Sequence, residues 1–418
     1  MLPIKTKQKI YSFLRWSEKW AKTDMVYLAK GGFWLTLGQI ISSISGITLG
    51  IAFANLLPKD TYGQYKYILS IVGLLSIPTL SGMGTALLQA IARGYEGSII
   101  PALKTKLKWG LISSIASFVL SAYYYYNHNL TLTFSFIIAG FFIPLMNAFG
   151  IYGPLLNGRK LFQISTKYNI IIKTTATFLM IAVLLFTKNL FIILLAYFAP
   201  YTFLRILFFL ITLKKIKPNK KEKKDTISYG KFLTAVRILA LIGNQLDKIL
   251  LWHYVGAVQL AIYSFARAMP NQILSLLKSI SSPLIQPKFA AGDTKQIKKS
   301  FPTKIIRLFL VVFIIVFLYI ISAPFIFKFL FPKYSESIIY SQLFALLLLF
   351  YPRNLFMEIF IAKMKKKNVL LLSTSSQILK ITLYLLLLPT FKIYGILISE
   401  FLVLFYASGL SFYLFKKI

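Results

Sequence analysis

The sequence predicts an all-α polytopic membrane protein of about twelve transmembrane helices in two six-helix lobes. Three observations carry that expectation: apolar runs of membrane length, basic residues confined to alternate loops, and a repeat that divides the chain into halves. Of 418 residues, 57% are hydrophobic and only 14% charged, with a mean hydropathy of +0.70. Soluble domains carry about a quarter charged residues. The apolar residues cluster in runs of roughly twenty, enough to cross about 30 Å of hydrocarbon at 1.5 Å per residue.

The spans fall at about 31–56, 65–92, 108–126, 130–156, 168–187, 189–213, 226–252, 257–287, 304–331, 338–362, 369–388 and 391–415. Charge checks this division independently of hydropathy. The segment 1–30 holds seven Lys/Arg, 214–225 seven, 288–304 five and 363–367 four. Arg93, Lys104, Lys106 and Lys108 fall in one connection, Arg159, Lys160 and Lys167 in another, and Lys416 and Lys417 close the chain. The intervening loops hold at most one basic residue each: Lys59, Lys188, Lys333 and Lys392. A missed helix would invert this alternation downstream, so both termini are expected on the cytoplasmic side of a bacterial inner membrane. The first 30 residues are basic, and the run after them is too long for a cleavable leader, so it reads as the first span.

The formal charge of +37 would suggest nucleic acid in a soluble protein. Distributed as topology signals, it points instead to contact with anionic membrane lipids and to no nucleic-acid partner. The absence of cysteine removes disulfides and thiolate metal sites. His128 and His253 fall in far-side loops without acidic neighbours and read as interfacial residues, so no metal or other cofactor is expected.

Gly32-Phe33-Trp34-Leu35-Thr36 opens the first span, and Gly230-Lys231-Phe232-Leu233-Thr234 opens the seventh, 198 positions on. Tyr62-Gly63-Gln64-Tyr65 and Leu260-Ala261-Ile262-Tyr263 keep the same offset. Leu88-Gln89-Ala90 and Ile285-Gln286-Pro287 keep it to within one residue. Six spans per repeat give the halves the same orientation, related by an axis along the membrane normal. The expected organisation is a basic segment 1–30, a first lobe 31–213, a cytoplasmic linker 214–225 (KKIKPNKKEKKD) and a second lobe 226–418. Two such lobes with a cleft between them make a transporter architecture. Pro78, Pro144, Pro154, Pro270 and Pro283 lie within spans and are expected to bend them.

Ionisable residues at membrane depth cost several kcal/mol unless they face a cavity or a partner. Span 7 carries Arg237, Asn244 and Lys248 within about 40° of one face at 100° per residue. Span 8 carries Arg267, Asn271, Lys278 and Ser282 on one stripe. Lys173 lies in span 5, Arg205 in span 6, Arg353 and Glu358 in span 10, and Lys380 in span 11. The acids at depth are Asp247, Glu358 and Glu400, fewer than the bases. The excess suggests a cationic, water-filled cleft for a pyrophosphate or acidic sugar, with Arg as a bidentate phosphate ligand and Lys as a point charge. The alternative for Lys173, Lys231, Lys248 and Lys278, near span ends, is that they snorkel to the interface. Asp247-Lys248 reads either as a structural pair or as a coupling-cation site, and H⁺ or Na⁺ coupling through Asp247, Glu358 or Glu400 stays open.

The second span, YGQYKYILSIVGLLSIPTLSGMGTALLQAIARG, resembles the second helix of bacterial polysaccharide repeat-unit flippases of the Wzx or O-antigen type. Spans 7 and 8, NQLDKILLWHYVGAVQLAIYSFARAMPNQILSLLKSISSPLIQPKFA, resemble the same region. That family belongs to the multidrug/oligosaccharidyl-lipid/polysaccharide exporter superfamily. The resemblance implies a V-shaped central cleft and an undecaprenyl-pyrophosphate-linked oligosaccharide moved from the inner to the outer leaflet, for O-antigen or capsule assembly. A polysaccharide polymerase would be a partner. The stretch around Arg267 is similar to one in lipid II flippases, where the arginine faces the cavity. Those flippases have further C-terminal helices and an arginine in the first span. Here Gln39, Ser43 and Gly46 occupy that face, which argues against lipid II as substrate.

Two other function classes fit the sequence less well. A cation-coupled multidrug exporter of the same superfamily needs embedded acids, which are few here. A membrane enzyme such as a glycan polymerase or ligase needs a long outer loop and catalytic residues, and neither is evident.

Overall fold

The computed structural model describes residues 25–291 and 294–417, all of them helix, 3-10 turn or short connection. The basic segment 1–30 falls outside the described residues except for its last six positions. Twelve helical passes follow one another. α1 is Met25–Leu56, α2 Lys59–Leu75 with Met83–Ala92, α3 Ile99–Tyr126, α4 Leu130–Ala148 with Tyr152–Gly158, α5 Phe162–Phe186 and α6 Leu190–Ile216. In the second half, α7 is Asp225–Gly243 with Leu246–Val255, α8 Ala257–Ala291, α9 Thr294–Leu330 and α10 Ser337–Leu346 with Asn354–Ala362. The long helix Lys366–Lys416 is interrupted by left-handed backbone at Lys392 (φ 53°), which separates α11 (366–391) from α12 (393–416).

Apolarity and length alone mark eight of these helices as membrane-spanning, or nine with the bent pair in α2. Dividing Lys366–Lys416 and adding α3 and α8 accounts for the rest; α3 and α8 carry their own lysines and arginines. Several helices run beyond the apolar spans, α3 beginning at Ile99 and α9 at Thr294. Polar ends of a helix need no hydrocarbon around them, so hydropathy marks the membrane and not the helix.

The fourth helix of each half breaks into 3-10 geometry, at Phe149–Ile151 and at Leu347–Arg353. The starts of these breaks are 198 residues apart, the offset of the sequence repeat. α2 breaks at Ile77–Thr79, beside Pro78, with a bend of 47°.

The linker and the C-terminus define one face, the basic side. At the opposite, far side, one hydrophobic core joins both halves: Phe53, Tyr62 and Tyr65 share it with Phe265, Phe331 and Tyr334. Towards the basic side the cores separate. Met83, Leu87, Tyr152 and Phe208 pack in the first half, and Phe301, Phe356, Phe360 and Phe415 in the second. The lobes thus diverge from a joined far end, which is the V-shaped cleft. α2 and α7 meet again nearer the basic side, where the Gly82 amide donates to Thr234 Oγ1 at 3.0 Å.

The far-side closure is specific. Lys59 pairs with Glu336 at 2.8 Å. Lys333 Nζ donates to the Asn55 carbonyl at 2.6 Å, and Asn55 Nδ2 to the Leu330 carbonyl at 3.1 Å. Tyr62 lies 4.8 Å from Phe265, which lies 4.0 Å from Tyr334. Gly63 sits so close to the Ala257 carbonyl that an added methyl group would overlap it.

Two bases, Lys106 buried and Arg205 half-buried, explain how the breaks are tolerated. Lys106, which the charge pattern counted as a loop residue, is 5% exposed and donates to the Thr79 and Leu80 carbonyls at 2.5 and 3.2 Å. These carbonyls sit at the α2 break. Arg205 Nη1 donates to the Met146 carbonyl at 2.8 Å, beside the α4 break. Freed carbonyls inside hydrocarbon must be met by protein groups.

On the basic side the linker is clamped to the first half. Arg159 holds Glu96 through two hydrogen bonds of 2.5 Å. Glu96 Oε2 accepts the Asn219 amide at 2.9 Å, and Gly97 donates its amide to the Lys221 carbonyl at 3.0 Å. The Arg159 hydrogen bonds hold the Glu96 carboxyl below its ordinary range. A depressed carboxyl contributes fully above its unfolded pKa and is lost as pH falls through the lowered value. Hydrogen-exchange protection of the Asn219 and Gly97 amides should therefore persist from neutral pH to about pH 5 and weaken only below about pH 4; Glu96→Gln should weaken it at neutral pH.

The chain has no native cysteine, so Lys59→Cys with Glu336→Cys should cross-link the lobes through a short thiol-reactive bridge. Adding Gly63→Val should lower the yield, because the added methyls meet the Ala257 carbonyl. An unchanged yield would mean that this contact does not hold the far side closed.

Candidate functional site: a cationic cavity between the lobes

A cavity of about 660 Å³ lies between the lobes. α1, α2 and α6 line it from one side with Gly46, Phe53, Tyr62, Lys66 and Tyr197. α7, α8 and α11 line it from the other with Asn244, Asp247, Lys248, Tyr263, Arg267 and Lys380. That volume lies within the range of small-ligand sites.

An ion network at the second-lobe wall organises the site. Arg267 Nη1 lies 2.5 Å from Glu400 Oε1, 2.8 Å from Tyr263 Oη and 3.6 Å from Asp247 Oδ2. Tyr263 Oη donates to Asp247 Oδ2, and Tyr384 Oη to Glu400 Oε1 at 2.8 Å. Lys380 Nζ stands 3.8 Å from Glu400, and Lys248 Nζ 3.9 Å from Asp247. The guanidinium also lies 5.1 Å from the Phe344 ring centre. Tyr263 and Arg267 are four residues apart on α8, so one helical face delivers both.

Asp247 Oδ1 is buried without a hydrogen-bond partner. Lys66 and Lys248 reach the cavity from opposite lobes. Lys66 rests over the Tyr62 ring at 5.3 Å, while Lys248 Nζ donates to the Asn244 carbonyl and to Gln245 Oε1, each at 3.1 Å. Four bases, Lys66, Lys248, Arg267 and Lys380, face two carboxylates, which leaves two positive charges in excess. A second cavity of about 160 Å³ opens behind Arg267, lined by Lys278, Arg353, Asn271 and Glu400.

Several expectations need correction. Arg267 and Lys380 do reach the cavity, but in contact with Glu400. Arg205 does not line it; its guanidinium belongs to the α4 break and lies 5.6 Å from the Tyr201 ring centre. α7 is interrupted between Gly243 and Leu246, so Arg237, Asn244 and Lys248 do not share a continuous face. Arg237 is exposed, with Nη2 3.4 Å from Thr85 Oγ1 across the lobes. Lys278 and Arg353 line the smaller cavity, and Lys173 lines neither. Glu358 sits half-buried on α10, outside both linings. Asp247-Lys248 joins the Arg267 network and is not an isolated pair.

Lys66 was missed, although it stands in the quoted second span. Its spacing of four from Tyr62 and three from Leu69, both cavity residues, was the available signal.

The described family of polysaccharide biosynthesis proteins matches residues 28–292. The chain belongs to that family. No curated protein matches the chain in sequence. The fold is similar to that of solved transporters of the MOP superfamily and of a lipid II flippase. The lipid II flippase MurJ in an inward closed conformation superposes with a TM-score of 0.69 at 13% identity, covering 91% of this chain and 87% of that one. An outward-facing multidrug resistance MATE transporter gives 0.64 at 12% identity, covering 94% of each chain. An inward-facing one gives 0.62 at 12% identity, covering 92% of this chain and 97% of that one.

Removing one partner of an ion pair strands the other charge, at a cost of about 3–5 kcal/mol where the pair is fully buried and less here, where the Arg267 side chain is 22% exposed. Arg267→Ala should therefore lower the melting temperature of the purified protein. Combining it with Glu400→Gln should recover part of the loss. No recovery would mean that the Arg267–Glu400 contact is not the dominant one.

Proposed function

We propose that this protein is an inner-membrane flippase, with both termini cytoplasmic, that moves undecaprenyl-pyrophosphate-linked oligosaccharide repeat units to the outer leaflet for surface polysaccharide assembly. The observation that carries the reading is the two-charge cationic excess in a cavity between two lobes. Family membership and the exporter fold support it. A polymerase acting on the outer side would take the product, and no catalytic step by this chain is invoked.

The basic side is the loading side in this reading, since the cores there are separate while the far side is latched. A diphosphate entering the cavity competes with Glu400 for Arg267. Guanidinium offers a bidentate fork, and Lys66 and Lys248 add point charges from opposite lobes. Binding between the lobes favours the arrangement that brings both lysines close, a differential contact of the kind alternating access requires. Proton coupling would act at Asp247 or Glu400, because a neutral carboxyl releases Arg267 to the substrate. Na⁺ at that place would have to displace the guanidinium.

The multidrug-exporter alternative places cationic drugs in the same cavity, where the excess positive charge repels them.

In cells lacking their own flippase, Lys66→Gln with Lys248→Gln should reduce glycan export at least about tenfold, if each lysine's loss costs about 1 kcal/mol or more of phosphate binding. Arg267→Ala should abolish export, and Arg267→Lys should retain part of it. Unimpaired export by the lysine pair at normal protein levels would overturn the assigned role of the cavity.

A further inference from the structure

We propose that the crevice between α9, α10 and α12 seats the polyprenyl tail of an anionic lipid while its phosphate is held in the cationic pocket behind Arg267, a loading position one side chain short of the central cavity. This rests on the flippase reading and adds where the lipid part of the substrate lies.

The crevice holds about 620 Å³ and is lined by apolar and aromatic side chains, among them Leu343, Phe309, Ile398 and Phe401. Tyr394 lies at its far-side end, just beyond the Lys392 turn. Leu347 and Phe350 line both this crevice and the pocket that holds Lys278, Arg353, Arg267 and Glu400. An apolar channel and a cationic pocket thus share a wall of two side chains. That combination matches one chemistry, a long hydrocarbon chain ending in phosphate.

The α10 break creates the arrangement. Residues Leu347–Arg353 form a seven-residue 3-10 helix containing Pro352. Runs longer than three or four residues are uncommon, and a 3-10 helix repeats every three residues. Leu347, Phe350 and Arg353 therefore stack along one edge. In α-helical geometry they would diverge, and the cation would leave the edge that the crevice follows.

Depth separates this site from ordinary lipid contact. Nine α-helical residues, Asn354–Ala362, lie between Arg353 and the basic-side end of α10, about 13 Å at 1.5 Å per residue. A phospholipid of the surrounding bilayer keeps its headgroup at the interface. A phosphate at Arg353 is submerged by that distance, with its tail directed to the far side. This is the geometry of a lipid drawn inward from the basic-side leaflet.

The test measures binding of undecaprenyl phosphate and of inorganic pyrophosphate to the full-length protein in detergent. Ile398→Trp and Leu343→Trp fill the crevice. Each should weaken undecaprenyl phosphate binding at least about tenfold, the equivalent of 1.4 kcal/mol, and leave pyrophosphate binding unchanged. Arg353→Gln should weaken both probes. Leu402→Trp, on α12 but outside the crevice, should change neither. Wild-type affinity for undecaprenyl phosphate in both crevice variants would overturn the tail site while leaving the flippase reading intact. Failure of the wild-type protein to bind either probe would overturn both.

Discussion

Hydrocarbon supplies no hydrogen bonds, and most of this structure follows from that constraint. A helix can break inside the membrane only where something meets the carbonyls it releases. Lys106 does so for α2 and Arg205 for α4. Both bases are cations without a carboxylate partner in these contacts, stabilised by backbone dipoles. Part of the embedded charge is therefore architectural. It accompanies the 47° bend at Pro78 and the 3-10 break at Phe149–Ile151.

The remaining embedded charge is arranged around Arg267. Its position between Glu400 and Asp247 orients the half-buried guanidinium, with tyrosines 263 and 384 supplying hydrogen bonds. Such a network is costly to assemble and sensitive to the loss of one member. In the proposed function it is also exchangeable, because a phosphate oxygen takes the place of the single Glu400 oxygen that Arg267 holds. The cavity on one side and the pocket behind meet at this residue, together with Asn271 and Leu274. One side chain thus stands between the two proposed phosphate positions.

Much of the fold was legible because the membrane imposes long-wavelength patterns. Apolar runs and alternating lysines require no knowledge of packing, and they located all twelve passes. The boundaries strayed at α3 and α9 because helices outlast hydrocarbon. The site was less legible. Arg267 was identified from its stripe, its depth and the flippase-like stretch around it, and Lys380 and Arg205 from depth; depth does not distinguish a cavity from a helix break, and Arg205 belonged to the second. Lys66 stands in the second span among aromatic residues, and only the approach of α7 and α8 shows that it lines the cavity. The face shared by Arg237 and Lys248 assumed an unbroken α7, which the interruption at Asn244 and Gln245 removes.

The sequence by itself determined the number of passes, the division at the basic linker, the excess of cations over acids and the family stretches in α2, α7 and α8. Each is a one-dimensional property, set by composition and spacing along the chain. Only the tertiary structure decided which cations pair with Glu400, which cap broken helices and which remain in surplus. Those choices depend on distances between helices far apart in sequence, such as the 133 positions separating Arg267 from Glu400, and no local pattern encodes them.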